Sequence, residues 1–392
     1  MLKDYVLYDT IGIDTTPILM DLLCSDNMSD GFYHTAMEII DKENDTPAEP
    51  PINRGVPKRF NEYTPQEMYE YFRFSHDDVQ QLITSLNIPL MMRIEGRWYH
   101  QEEMMIILLR RMCDINRFRD LRKEIRRSES EMCDCFNHMV NWILNHHGWL
   151  LTGNMDRWSP QLEGWYRSIK AKTGQYDENQ YGKIVMFIDG TCVMISRPSD
   201  GTNAFYDLQR LFWSGYKKYH NINFSVIVAP NGLVIDVCGP VPGRHSDKWV
   251  QSWSSTERRL RRLFRGLPYT VYGDGIYSDS DVIRRRKRGL HLNGRDRHEI
   301  RKLNSSRTCV ENNFAETQNV FPYISFKRNK KILSSKCGVG NVYKLALLLK
   351  NFRSCLRGSQ TGQGFFGISP PSLNDYITGR FSSTRVPNFI RM

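Results

Sequence analysis

From Thr64 onward apolar residues recur at helical spacing along the chain. In TPQEMYEYFRFS, Thr64 precedes Pro65 and stands three residues before Glu67, a capping-box arrangement that predicts a helix start. HDDVQQLITSL, QEEMMIILLRRM, RFRDLRKEIRR and SESEMCDCFNHMVNWILNHH continue the pattern, and Ser128 with Glu131 repeats the box at the head of the last segment. From Lys183 the period changes. KIVMFID, NINFSVIVAPNGLVIDVCGPV and YTVYGD are short apolar or alternating runs that predict strands, with Pro230-Asn231-Gly232 as a hairpin turn. Helical stretches are expected again at about 246–264, 279–288 and 306–321. Strands first, with helices alternating later, predict a mixed α/β layer.

Three short helices followed by a longer one resemble a helix-turn-helix module. The helix that would read DNA opens with Glu129, Glu131 and Asp134, and acids there repel phosphate. A helical bundle packed on the next domain or on a partner is therefore the equal alternative. The expected organisation is an acidic, largely disordered arm over 1–60, a helical domain over 61–155, an α/β catalytic domain over 180–355 and a C-terminal tail over 356–392.

Composition narrows the class. The 392 residues are 40% hydrophobic and 12% aromatic, enough for two to three domains with real cores. No apolar run approaches the roughly 18 residues that span a bilayer, and MLKDYVLYDTIGID carries acids where a signal peptide needs a basic start. A soluble, unsecreted protein is expected. The nine cysteines include no CxxC pair; Cys133, Cys135, His138, His146 and His147 have poor zinc spacing, so reduced thiols are expected. The formal charge of +11 is unevenly spread: residues 1–50 hold eleven acids against Lys3 and Lys42, a balance of −9 that leaves +20 on the remainder. A basic body of that size attracts a polyanion such as nucleic acid; a merely solubilising surface is the other reading. The acidic arm is expected to compete weakly with DNA for that surface, or to dock on a partner.

Candidate chemistry lies in three acids. Asp274 ends the run YTVY between two glycines, where it either caps the next segment or aims a charge into a cleft. Asp189 ends IVMFI just before Gly-Thr, and an acid bordering five apolar residues is costly unless paired or metal-bound. Glu311, in RTCVENNFAETQNVF, adjoins a buried stripe marked by Val310, Phe314 and Phe321. Two strand-end acids and a helical one can meet at one sheet edge, and divalent cations would relieve their repulsion.

The ordered succession FIDGT, GPVPGRHSDKW, YGDGIY, RTCVENNF and VGNVYKLALLLKNFRSCLRG…GISPPSLNDYI resembles the DDE endonuclease domain of PIF/Harbinger transposases and the domesticated proteins derived from them, over about residues 60–378. The resemblance implies an RNase H-like fold with a mixed sheet flanked by helices. It places the family's catalytic, metal-binding triad on Asp189, Asp274 and Glu311. It further implies Mg²⁺, with Mn²⁺ as substitute and two ions per site, a terminal-repeat DNA substrate, a homo-oligomer, a nuclear location and often a Myb-like accessory protein. Around the acids, His245, Lys217, Arg244 and Arg307 are expected to brace the site or touch DNA, and Asp247 to cap a helix or stand behind the acids. Phosphate contacts are expected from Arg284, Arg285, Arg286, Lys287 and Arg288, a run that also resembles a nuclear import signal, and from Lys327 and Arg328. Fourteen Lys/Arg against five Asp/Glu lie between Arg258 and Lys302, on both sides of Asp274.

Overall fold

A computed structural model describes residues 56–198, 208–286, 294–325, 330–332 and 336–381. The arm up to residue 55 lies outside the described residues, as do Lys287, Arg288, Lys327 and Arg328.

The expected helix starts are present. Thr64 accepts from the Glu67 N–H and Ser128 from the Glu131 N–H, each in a reciprocal capping box. The helical part runs α1 (His76–Ser85), α2 (Gln101–Cys113), α3 (Phe118–Ile125) and α4 (Glu129–His147). It also carries a two-stranded antiparallel ribbon, β1 (Met91–Ile94) and β2 (Arg97–His100), where only helices were expected. The turn is Glu95-Gly96, both at positive φ, and the right-handed twist of paired strands suits that geometry. Met132, Phe136, Met139, Val140 and Ile143 bury one face of α4, each contributing roughly 1.5–3 kcal/mol. The acids at its start are used within the protein: Glu131 lies 3.6 Å from Arg97, and Asp134 accepts from Lys336 at 3.2 Å.

After α5 (Leu162–Thr173) comes the sheet, whose strands are β3 (Lys183–Met194), β4 (Trp213–Ser214), β5 (Tyr219–Val228), β6 (Val234–Pro242), β7 (Tyr269–Gly273) and β8 (Ile283–Arg285). β3 pairs antiparallel with β5 and parallel with β7; β5 pairs antiparallel with β4 and β6; β7 pairs parallel with β8. This mixed sheet with helices around it is that of an RNase H-like domain. β3 is its centre, with Ile184 to Ile188 at most 2% exposed, as expected of a strand covered on both faces. The helix expected at 279–288 is absent over its described residues, 279–286. Val282 and Ile283 are buried and turn that stretch into the short edge strand β8, so Arg284 and Arg285 ride on a strand and the Arg286 N–H donates to the Gly273 carbonyl.

Between β6 and β7 lie α6 (Asp247–Trp253) and α7 (Thr256–Phe264); after β8 come the long α8 (Gly294–Val320), α9 (Val339–Arg357) and α10 (Leu373–Thr378). α8 and α9 are bolted to the β5–β6 turn, whose Gly232 carbonyl accepts from Asn313 Nδ2 at 2.8 Å and from Lys350 Nζ at 2.6 Å. Asn351 exchanges hydrogen bonds with the Val234 backbone at 2.9 and 2.8 Å. One hydrophobic cluster runs from Phe60 to Tyr376, so the helical part and the sheet share a core. Among the described residues no helix is long and apolar enough to cross a membrane.

One buried ion pair ties α7 to β6. Asp236 is 1% exposed, and both its carboxylate oxygens accept from Arg259 Nη2, at 2.9 and 2.7 Å, while Thr256 donates at 3.1 Å. Burial still pushes the Asp236 carboxyl above its usual range, against the pull of Arg259. Arg259→Met leaves that charge alone and is expected to cost about 3–5 kcal/mol in urea unfolding, whereas Asp236→Leu/Arg259→Met recovers most of it. A loss below about 1 kcal/mol for the single variant would show that the pair is not buried in solution.

Candidate active site

The site begins where β7 ends beside the middle of β3; Asp189, expected at a strand end, is an interior residue of β3, which stays paired with β5 as far as Met194. Ile188 and Gly273 are register partners on these parallel strands, so Asp189 and Asp274, the next residue of each, emerge side by side. Neighbouring strands run about 4.8 Å apart. Gly273 is small of necessity, because a Cβ there would meet Ile188 at 2.8 Å and Tyr277 at 2.9 Å. Each acid uses one oxygen on the N–H of the glycine that follows it: Gly190 to Asp189 at 2.9 Å, and Gly275 to Asp274 at 2.6 Å. No helix follows Asp274, so the capping alternative does not apply to it.

The third expected acid arrives on α8. Arg307 and Glu311 stand one turn apart, and Arg307 Nη2 donates to Glu311 Oε1 at 2.8 Å while Nη1 donates to Asp189 Oδ2. Arg307 is 14% exposed in its side chain, Asp189 17% and Glu311 52%. Asp274 also acts on the Arg307 guanidinium electrostatically, so that one cation is bonded to two of the acids and feels the third. Burial pushes the Asp189 carboxyl up to about 6, a rise that Arg307 and the Gly190 N–H oppose and Glu311 reinforces.

A fourth acid is closer than its sequence suggests. Ser246, not Asp247, caps α6, its hydroxyl accepting from the Trp249 N–H at 3.3 Å. The Asp247 carboxylate instead lies over Gly190, where a Cβ would fall 2.2 Å from Oδ1. Burial first and then Asp274 push its pKa up, while Lys217 pulls it down, which places Lys217 at the rim of the acid group. The preceding turn is held from below: Asn223 Nδ2 donates to the His245 carbonyl at 2.8 Å and accepts through Oδ1 from Asn221. The His245 ring stacks on Trp249 at 3.7 Å, and Trp249 on Trp253 at 5.5 Å. Burial and the neighbouring Arg244 push His245 down to about 4, so the imidazole is neutral at pH 7. Arg244 itself is exposed. Beneath the acids Tyr277, 1% exposed, shares a 3.4 Å hydrogen bond with Ser225.

The structure thus gathers Asp189, Asp274, Glu311 and Arg307 in one place, with Asp247 and Lys217 beside them, and leaves Arg284, Arg285 and Arg286 on the β8 edge next to β7. Sequence reasoning passed over Asn221, Asn223 and Tyr277. The two asparagines were visible as polar residues at period two in an otherwise apolar strand; Tyr277 carried no signal. All-carboxylate oxygen is a donor set that suits hard divalent cations. Yet among the described residues no group of three or more His, Cys, Asp or Glu is arranged to hold a metal ion, and Arg307 is bonded to both Asp189 and Glu311.

Residues 188–351 match the family described as DDE superfamily endonuclease, a span that includes all six of these residues. No curated protein and no solved structure matches the chain. The match supports a DDE-type transposase family and a nuclease- or transposase-like function acting on DNA; such endonucleases generally use divalent metals.

Two measurements test this geometry. The folded pKa of Asp189 lies above its ordinary 3.8, so the native state holds a proton that the unfolded chain has lost between pH about 4 and 6. Stability attributable to this group is therefore greatest near pH 4 and falls as pH rises through 6, by up to ~3 kcal/mol. Asp189→Asn is expected to flatten that slope in metal-free urea unfolding; an unchanged slope would place the titration elsewhere. Gly190→Ala drives a methyl into Asp247 and should cost ~1–3 kcal/mol, and Asp247→Ser in the same chain should return most of it.

Proposed function

We propose that the protein is a metal-dependent DNA transposase of the PIF/Harbinger type, cleaving phosphodiesters at element ends and joining the freed 3′-hydroxyl to target DNA. The observation that carries this reading is the meeting of Asp189, Asp274 and Glu311 around Arg307, within the span that matches the endonuclease family. These three acids would hold Mg²⁺, or Mn²⁺ in its place, two ions per site. A divalent cation bound there supplies activation of the attacking oxygen and charge compensation for the departing one. The chain's own part is placement. The middle of β3 and the end of β7 fix two carboxylates, α8 brings the third, and neutral His245 braces the turn beside them through its stack on Trp249. Lys217, exposed Arg244 and the β8 arginines lie where phosphates of a bound duplex would run, and such contacts set position rather than sequence. A DNA substrate places the protein in the nucleus, with a second copy and a Myb-like protein as the partners this reading supplies.

A second reading, a domesticated DNA-binding or protein-interaction factor without turnover, is favoured by the same arginine: as placed, Arg307 pairs with two of the acids that would hold the metal. End-labelled duplex with purified protein separates the two. Cleavage is expected with Mg²⁺ or Mn²⁺ and not with EDTA. Asp274→Asn should abolish it while DNA affinity is unchanged or higher, since removing an anion lowers repulsion of phosphate. Equal cleavage by the variant across a metal titration would sink the catalytic assignment, and binding without any cleavage by the wild type would favour the second reading.

A further inference from the structure

We propose that Arg307 is the resident counter-ion of the acid group and competes with divalent metal for it, so that its guanidinium must withdraw from Asp189 before a cation is held there. The proposal rests on the reading of Asp189, Asp274 and Glu311 as cation ligands. Its basis is the placement of one charge. The guanidinium bridges two of the three acids, with Nη1 on Asp189 and Nη2 on Glu311 at 2.8 Å, and it feels the third. A carboxylate oxygen that accepts from a guanidinium is unavailable to a cation on the same side, and two positive charges sharing one carboxylate repel. The same planar fork that makes Arg a good partner for carboxylates makes it a good placeholder for a metal.

The pairing is not fully satisfied, which is what a displaceable group requires. Arg307 Nε is buried without a hydrogen-bond partner. Of the acids, Asp274 has its one hydrogen bond to a backbone N–H and Asp247 faces Gly190 and Lys217, so neither holds the guanidinium in place. Glu311 is the half-exposed member and stands on the same helix, one turn away. Arg307 can therefore keep Glu311 as a partner while releasing Asp189, through side-chain rotation alone. In this arrangement the acids stay together without metal because the arginine neutralises them, and the metal-free site is assembled but closed.

The test is metal affinity of the full chain without DNA, read by Mn²⁺ titration calorimetry and Tb³⁺ luminescence, with circular dichroism as the check on folding. Arg307→Gln removes the competing charge and keeps a hydrogen-bonding side chain; it is expected to bind Mn²⁺ about tenfold or more tightly than the wild type. Arg307→Lys, whose ammonium cannot grip both acids, should lie between the two, and it carries the test if the glutamine variant does not fold. Asp274→Asn, which touches none of the Arg307 bonds, should bind more weakly than the wild type. Unchanged or weaker binding by both arginine variants, with weaker binding by Asp274→Asn, overturns the competition while the acid site stands. Binding that no acid substitution alters overturns both.

Discussion

A carboxylate inside a strand covered on both faces must be compensated, and the arrangement around Asp189 follows from that requirement. β3 is covered on both sides because it is the middle of the sheet, so the charge within it has little water to draw on. Its own backbone supplies one N–H at Gly190, and α8 places Arg307 on the acid. Even with both, burial keeps the carboxyl shifted up to about 6. Gly190 has a second consequence, since the absence of a side chain there lets Asp247 close over the same spot. Compensation by an arginine and compensation by a metal are alternative answers to one electrostatic demand, and the same residues serve both.

Much of this frame was legible in the chain. Capping boxes at Thr64 and Ser128 are local, reciprocal hydrogen-bond patterns, and a local pattern can be read from a local stretch. The β5–β6 hairpin was equally plain because Pro230-Asn231-Gly232 interrupts two apolar runs. The β1–β2 ribbon was missed since its turn is Glu-Gly, a weaker signal than Asn-Gly, inside a stretch crowded by helical patterns. Residues 279–288 were misjudged for a different reason. A run of arginines has good helix propensity, but Val282 and Ile283 bury against the sheet, and tertiary packing overrides propensity.

Asp274 was identifiable at a strand end and Glu311 beside a buried stripe; Asp189 was read as a strand end because Gly-Thr follows it, but β3 continues to Met194. Arg307 was expected to brace the site or touch DNA, and its place between two acids was not legible. That Arg307 precedes Glu311 by one helical turn is visible in the sequence, but its other partner, Asp189, lies 118 residues away, and only the fold brings them together. Asp247 was expected to cap a helix or to stand beside the acids, and only the fold decides between the two: Ser246 holds the cap. Long-range electrostatic partners leave no local trace.

The long helix α8 makes the site a gap between two solid pieces. Its Arg307 and Glu311 face the acids on the sheet, while Asn313, two residues past Glu311 and so on the far side of the helix, is pinned to the Gly232 carbonyl, which Lys350 also grips. The distance between the acids on the sheet and the acid on the helix is thus gauged by an unrelated hairpin turn on the other side, much as the opening of a calliper is set by its screw and not by its tips. A methyl group gained or lost at that turn would resize the opening without touching any residue in it.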